Sequence, residues 1–182
     1  MTRKVAVLVG SFRKESINQK FARVLEKLAE GKLAFDHVRI DDLPHYDDDL
    51  WTDAPASVLR LKQQIADADA VLVITPEYNR SFPGVLKNAF DWGSRPYGQG
   101  VWGGKPSAVA GTSPGVIGAA VAQAHARLAL ANLNTVVMHH PEVYLQWKAE
   151  NFGDDGSVND EGTRKFLQGF VNAFAAFIEK TA

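Results

Sequence analysis

The chain has 182 residues, 46% of them hydrophobic and 23% charged, with a formal net charge of -1. That length suits one domain of roughly 100–200 residues with a sheet buried between helix layers, so a single domain over residues 1–182 is expected. The small net charge gives no global pull toward nucleic acid or an anionic membrane, and the absence of cysteine excludes disulfide scaffolds, thiolate zinc sites, iron–sulfur clusters and cysteine nucleophiles.

Met1-Thr2-Arg3-Lys4 leads into a short apolar run, and Arg13-Lys14-Glu15 follows too soon for a signal-peptide core. No stretch reaches the ~18 apolar residues of a membrane span, so a cytoplasmic protein is expected. Val5-Ala6-Val7-Leu8-Val9, closed by Gly10, reads as a strand buried on both faces. Over 16–30, Ile17, Phe21, Val24, Leu25 and Leu28 recur at helical spacing before Gly31. Residues 35–40 follow as a strand, 57–68 as a helix announced by Asp53 and Pro55, and 70–75 as a third strand. A helix over 83–94 has Pro83 as its first residue. Strand 107–111, helix 118–132, strand 136–139 and helix 161–180 complete the pattern, with 41–54, 95–106 and 142–160 as loops. Five strands alternating with five helices predict an α/β fold: a doubly wound, five-stranded parallel sheet with helices on both faces. Ligands should gather at the strand C-termini.

Three loops meet at that edge. The first, Gly10-Ser11-Phe12-Arg13-Lys14-Glu15-Ser16-Ile17-Asn18, is rich in donors and opens a helix, where unpaired N–H groups favour a phosphate. Ser11, Ser16 and Asn18 would add neutral hydrogen bonds and Arg13 a charge. Ser16 with Gln19 is also a capping box that needs no ligand. The loop is neither a Walker motif nor G-x-G-x-x-G. The second, Thr75-Pro76-Glu77-Tyr78-Asn79-Arg80-Ser81-Phe82-Pro83, is stiffened by two prolines. The third, Gly111-Thr112-Ser113-Pro114-Gly115-Val116-Ile117-Gly118, lets backbone approach a ligand through its glycines.

In order and spacing these segments resemble the NADPH-dependent FMN reductase family, with its chromate and quinone reductase members, from about residue 4 to residue 180. P-E-Y-N followed by G-V-L-K-N-A-F-D-W is the specific part. The resemblance implies a flavodoxin-like domain that holds FMN non-covalently and takes electrons from NADPH or NADH. It implies that Ser11, Arg13, Ser16, Ile17 and Asn18 grip the FMN phosphate and that Pro76, Glu77, Tyr78 and Asn79 border the isoalloxazine. Ser113 and Gly115 would lie near its pyrimidine side. No side chain is expected to be catalytic, since FMN carries hydride from the nicotinamide to a small acceptor: a quinone, free flavin, azo dye or metal oxyanion such as chromate. Two departures stand out. Ala119 occupies a position where a second glycine is common, with a slight effect on ring contact expected, and 96–104 is longer than usual, which is expected to reshape the substrate mouth.

The alternative is a flavodoxin-like electron carrier or FMN-dependent redox sensor without nicotinamide turnover, although a net charge of -1 lacks the acidic bias that steers carriers to their partners. A phosphate-ester hydrolase would need a base beside the loop serines, and none is in view. Asp47-Asp48-Asp49 reads as a solvated run, so no metal site is expected. Arg80 reads as a solvated loop residue, and His139-His140 as buried or capping. The 116–133 stretch is small or apolar almost all round, which predicts a homodimer or homotetramer through helices 83–94 and 116–133. The resemblance implies the same assemblies.

Overall fold

The computed structural model describes residues 2–181; Met1 and Ala182, the ends of the expected 1–182 span, lie outside the described residues. Eleven elements follow in chain order: β1 (Arg3–Val9), α1 (Ile17–Leu28), β2 (Leu33–His37), α2 (Ala56–Ala66), β3 (Ala70–Ile74), α3 (Gly84–Ser94), β4 (Pro106–Ser113), α4 (Ala120–Asn132), β5 (Val136–Val137), β6 (Tyr144–Gln146) and α5 (Glu161–Thr181). The strand order is β2-β1-β3-β4-β5 with every pair parallel, which is the flavodoxin-like doubly wound arrangement. Consecutive strands leave β1 in opposite directions, so a crevice opens between the β1 and β3 carboxyl ends.

Residue parity along the strands builds the two cores. Val5, Val7 and Val9 join Phe21 and Leu25 of α1 and Phe170 and Phe174 of α5 in one cluster. Ala6 and Leu8 join Leu61 and Ile65 of α2, Leu86 and Phe90 of α3, and Ala126 and Leu130 of α4 in the other. Each fully buried Val, Leu, Ile or Phe side chain contributes about 1.5–3 kcal/mol.

The edge position differs from the expected fifth strand over 136–139. It is one strand in two pieces: β5 pairs with Pro106 and Ser107, and β6 pairs further along with Gly111, Thr112 and Ser113. Pro141 has no N–H to donate and interrupts the ladder between them. The 142–160 stretch, expected as loop, therefore contains β6 as well as a 3-10 turn, Ala149–Asn151, and the expected 41–54 loop contains another, Asp48–Asp53. Its Asp47 accepts the Asp49 N–H at 3.0 Å. Pro83 sits one residue before α3, and α4 begins at Ala120 instead of Gly118.

The loop over 95–106 is present, but the 96–104 stretch within it does not sit where a reshaped substrate mouth requires. It leads from α3 into the start of β4, so it lies at the N-terminal edge of the sheet, opposite the crevice, and within its own chain cannot border a substrate mouth there. Gly104 N–H bonds the Asn134 carbonyl at 2.7 Å, and Lys62 Nζ bonds the Gln99 carbonyl at 2.8 Å. His139 and His140, expected to be buried or capping, are exposed and make no hydrogen bond among the described residues, because the ladder has already stopped beside them.

β3 and β4 approach closely at Gly111, where an added Cβ would stand 2.3 Å from the Thr75 carbonyl oxygen. Gly111→Ala is expected to lose about 1–3 kcal/mol of unfolding free energy through overpacking, measured by urea denaturation; an unchanged midpoint would contradict this close approach.

Candidate functional site

The chain leaves β1 with Gly10 N–H still on the sheet, bonded to the Ile74 carbonyl at 2.9 Å. Between there and the first turn of α1, no acceptor is found among the described residues for the N–H groups of Phe12, Arg13, Lys14, Glu15, Ile17 and Asn18. Ser16 caps the helix, its Oγ accepting the Gln19 N–H at 3.3 Å. The capping box is only half formed, since the Gln19 amide donates to the Ser11 carbonyl at 3.0 Å and does not return to Ser16. Ser16 Oγ donates to Ser11 Oγ at 2.8 Å, both residues being buried, so the Ser11 hydroxyl proton stays uncommitted. The Arg13 guanidinium is exposed and has no hydrogen bond or ion pair among the described residues. Lys20 pairs with Glu15, the only acid of the loop, at 2.8 Å and holds its carboxyl below the usual range. The result is a nest of open donors at a helix N-terminus with two cations, Arg13 and Lys14, unpaired among the described residues, the arrangement that receives a phosphate.

Asn18 faces inward. Its amide donates to the Thr112 carbonyl at 3.0 Å and accepts the Thr112 N–H at 3.2 Å, locking the start of α1 to the end of β4. One amide proton remains for other use.

In the second loop, Tyr78 and Ser81 exchange two backbone hydrogen bonds, at 2.9 and 3.0 Å, around Asn79 and Arg80, whose φ values are 51° and 65°. This is a two-residue turn with both central residues left-handed, natural for Asn and strained for Arg. It holds the Tyr78 ring outward, 48% exposed. The Glu77 carboxylate reaches α4 and accepts the Val121 and Ala122 N–H groups at 3.0 and 3.2 Å. Arg80 is mostly exposed, as its sequence context suggested, with a long contact of 3.4 Å to Glu77. In the third loop Ser113 Oγ donates to the Gly115 carbonyl at 3.0 Å, and Gln146 reaches the Pro114 carbonyl at 3.1 Å. Ala119 takes φ 61° and is buried, its methyl set over Gly111.

Between the three loops lies an open cavity of about 190 Å³, lined by Ser11, Arg13, Ile17, Asn18, Pro76, Glu77, Tyr78, Thr112, Ser113 and Pro114. Eight of these stood out in the sequence. Of the others singled out there, Ser16 sits behind Ser11, Asn79 at the tip of the turn, and Gly115 on the exposed flank of the third loop. Thr112 and Pro114 are additions. Both belong to the glycine-rich third segment, but only the pairing with Asn18 reveals the part Thr112 plays. A separate opening behind α1, beside the stacked pair Trp147 and Phe152 at 4.1 Å, contains none of the loop donors.

Sequence reading missed the support beneath the third loop. Gln123 and Arg127 of α4 are buried: Gln123 donates to the Gly118 and Val143 carbonyls at 3.1 and 2.7 Å, and Arg127 donates to Gln123 and to the Val109 carbonyl, both at 3.2 Å. Arg127 also faces Glu142 at 3.6 Å and the Tyr144 ring at 5.9 Å. Burial, with a hydrogen bond to Glu142, pushes the Tyr144 phenol up. With these polar residues turned inward, α4 shows solvent Ala124, His125, Ala131 and Leu128, the last 72% exposed.

Comparison with known proteins places this geometry among flavoenzymes. Residues 3–149 match the family model described as NADPH-dependent FMN reductase. A 2-hydroxy-1,4-benzoquinone reductase of a Burkholderia species is 50% identical over 178 residues, covering 98% of this chain and 97% of the relative. A quinone reductase of Pseudomonas putida is 51% identical over 176 residues, covering 96% and 94%. Among solved structures, the flavoenzyme NAD(P)H:(acceptor) oxidoreductase FerB from Paracoccus denitrificans superposes with a TM-score of 0.98 at 63% identity, covering 99% of each chain.

Proposed function

The chain belongs to the NADPH-dependent FMN reductase family, and from that premise we propose that this NAD(P)H-dependent, FMN-using oxidoreductase reduces small quinones at the cavity between its three loops. The observation that carries the reading is the nest after β1: open N–H groups, the uncommitted Ser11 hydroxyl and free Arg13, all beside a cavity walled by Pro76, Tyr78 and Ser113. Those donors fit a monophosphate, and the stiff second and third loops fit the edges of a flat ring. When bound, FMN supplies the redox chemistry, accepting hydride from the reduced nicotinamide and returning the electron pair to the acceptor.

The chain's own work is placement. Backbone donors of 12–15 and of Ile17 and Asn18, with Ser11 and Arg13, hold the phosphate, while Ser16 shapes the nest from behind. Pro76, Glu77, Tyr78 and Asn79 border one side of the ring and Ser113 and Gly115 the other. The Asn18–Thr112 bonds fix the distance between phosphate nest and ring walls. Phe12, Tyr78, Val116 and Ile117 are exposed apolar side chains on the three loops, which favours a flat, apolar acceptor such as a quinone over a metal oxyanion such as chromate; free flavin and azo dyes share the flat shape. A single mouth serves donor and acceptor in turn.

The functional unit is one FMN-binding domain over 1–182, acting in the cytoplasm. Its exposed α4 face, with Leu128 at the centre and Gln123 and Arg127 turned inward, supports a homodimer or homotetramer built through α4 and α3. Among the described residues no helix is long and apolar enough to cross a membrane.

Anaerobic addition of NADPH or NADH to the FMN-loaded protein is expected to bleach the yellow colour at once, and a benzoquinone to restore it with parallel lines in double-reciprocal plots. Slow bleaching would leave only an electron carrier. For the assembly, Leu128→Glu is expected to lower the mass seen by light scattering after size exclusion; a monomeric wild type would refute the interface.

A further inference from the structure

Helix α4 begins without a cap of its own. The residue before it, Ala119, has φ 61° and no side-chain oxygen to offer, so the first free N–H groups need an acceptor from elsewhere. Glu77 provides it from the second loop: one carboxylate oxygen accepts both Val121 and Ala122 N–H groups, at 3.0 and 3.2 Å, and the other meets Arg80 at 3.4 Å. The side chain is only 13% exposed and lines the cavity. A second tie runs between Ser81 Oγ and His125 Nδ1 at 3.1 Å, and the turn between the ties is closed by the two Tyr78–Ser81 backbone bonds. The turn that presents Tyr78 is thus clipped to the helix that follows the opposite wall of the cavity.

From this arrangement we infer that the Glu77 carboxylate is a positioning group, acting through α4 while the residue's backbone borders the ring, and that its charge makes bound FMN harder to reduce. The inference rests on the flavin reading above. Two effects follow from the one carboxylate. As an acceptor it sets the spacing between the second and third loops. As an anion it neutralises the partial positive charge of the α4 N-terminus, which would otherwise favour the more negative reduced cofactor beside it.

Two substitutions separate the effects. In Glu77→Gln the side-chain carbonyl oxygen can accept the same two N–H groups without the charge, whereas Glu77→Ala removes both the acceptor and the charge. Apoprotein of wild type, Glu77→Gln and Glu77→Ala is titrated with FMN by flavin fluorescence, and the midpoint potential of each complex is measured against reference dyes. Glu77→Gln is expected to keep the FMN affinity within about twofold of wild type and to raise the potential. Glu77→Ala is expected to raise the potential as well but to weaken FMN binding about tenfold, because two charge-assisted hydrogen bonds are lost. Wild-type affinity in Glu77→Ala would overturn the positioning role, and an unchanged potential in Glu77→Gln would overturn the electrostatic one. The glutamine variant decides the electrostatic role even where the alanine variant fails to fold, and then a tenfold loss of affinity in Glu77→Gln would overturn the positioning role. A wild-type protein that takes up no FMN would refute the flavin reading itself and this inference with it.

Discussion

The segment between β1 and α1 gathers, within a few residues, backbone N–H groups with no acceptor among the described residues: those of 12–15 on exposed residues, and those of Ile17 and Asn18 on half-buried and buried ones. The parallel sheet makes them unavoidable. β1 is paired on both sides and its ladder ends at Gly10, and the chain turns from there into α1, whose first N–H groups have no partner within the helix. Ser16 satisfies one of them, and those of Ile17 and Asn18 stay open beside Arg13, whose guanidinium has no partner among the described residues. The turn is therefore matched to a ligand with several acceptor oxygens, and FMN brings a phosphate.

The other loops matter because they are fastened to that turn and to one another. Asn18 joins the start of α1 to Thr112 across the sheet, Glu77 joins the second loop to α4, and Gln123 with Arg127 supports the third loop from below. Each link is buried or half-buried and, the Arg127–Gln123 side-chain bond apart, runs to backbone, which fixes direction as well as distance. Placement is what a flavoprotein of this kind asks of its chain, because the cofactor brings the chemistry. The inward polarity of α4 has an outward consequence, since the residues left for the surface are Ala124, His125, Leu128, Ala131 and Asn132.

Much of this was legible in the sequence. β1, β3 and β4 announce themselves because strands buried on both faces must be apolar without alternation, and the P-E-Y-N segment stood in the expected place at the β3 terminus. The three loops were legible because loops at strand C-termini in such a sheet converge, and the resemblance to the FMN reductase family picked out the individual residues within them. β6 was not legible, since Tyr144-Leu145-Gln146 is too short for any period and pairs with β4 only because Pro141 ends the first part of the edge. Nor was the inward turn of Gln123 and Arg127 visible, because an alanine-rich helix has no apolar stripe to fix its rotation. The 96–104 segment was expected to reshape the substrate mouth because it is longer than usual in the family the chain resembles, whereas the direction of β4 puts it at the other end of the sheet. Glu77 was read as bordering the ring; what the sequence did not show is that its carboxylate also caps a helix 44 residues away in the chain.

The central claim is that the nest after β1 recognises a phosphate, and riboflavin differs from FMN by lacking that group alone. Calorimetric titration of the apoprotein with both ligands separates phosphate recognition from ring recognition. The account predicts FMN binding at least about a hundredfold tighter than riboflavin, equivalent to roughly 2.7 kcal/mol. Equal affinities would contradict it.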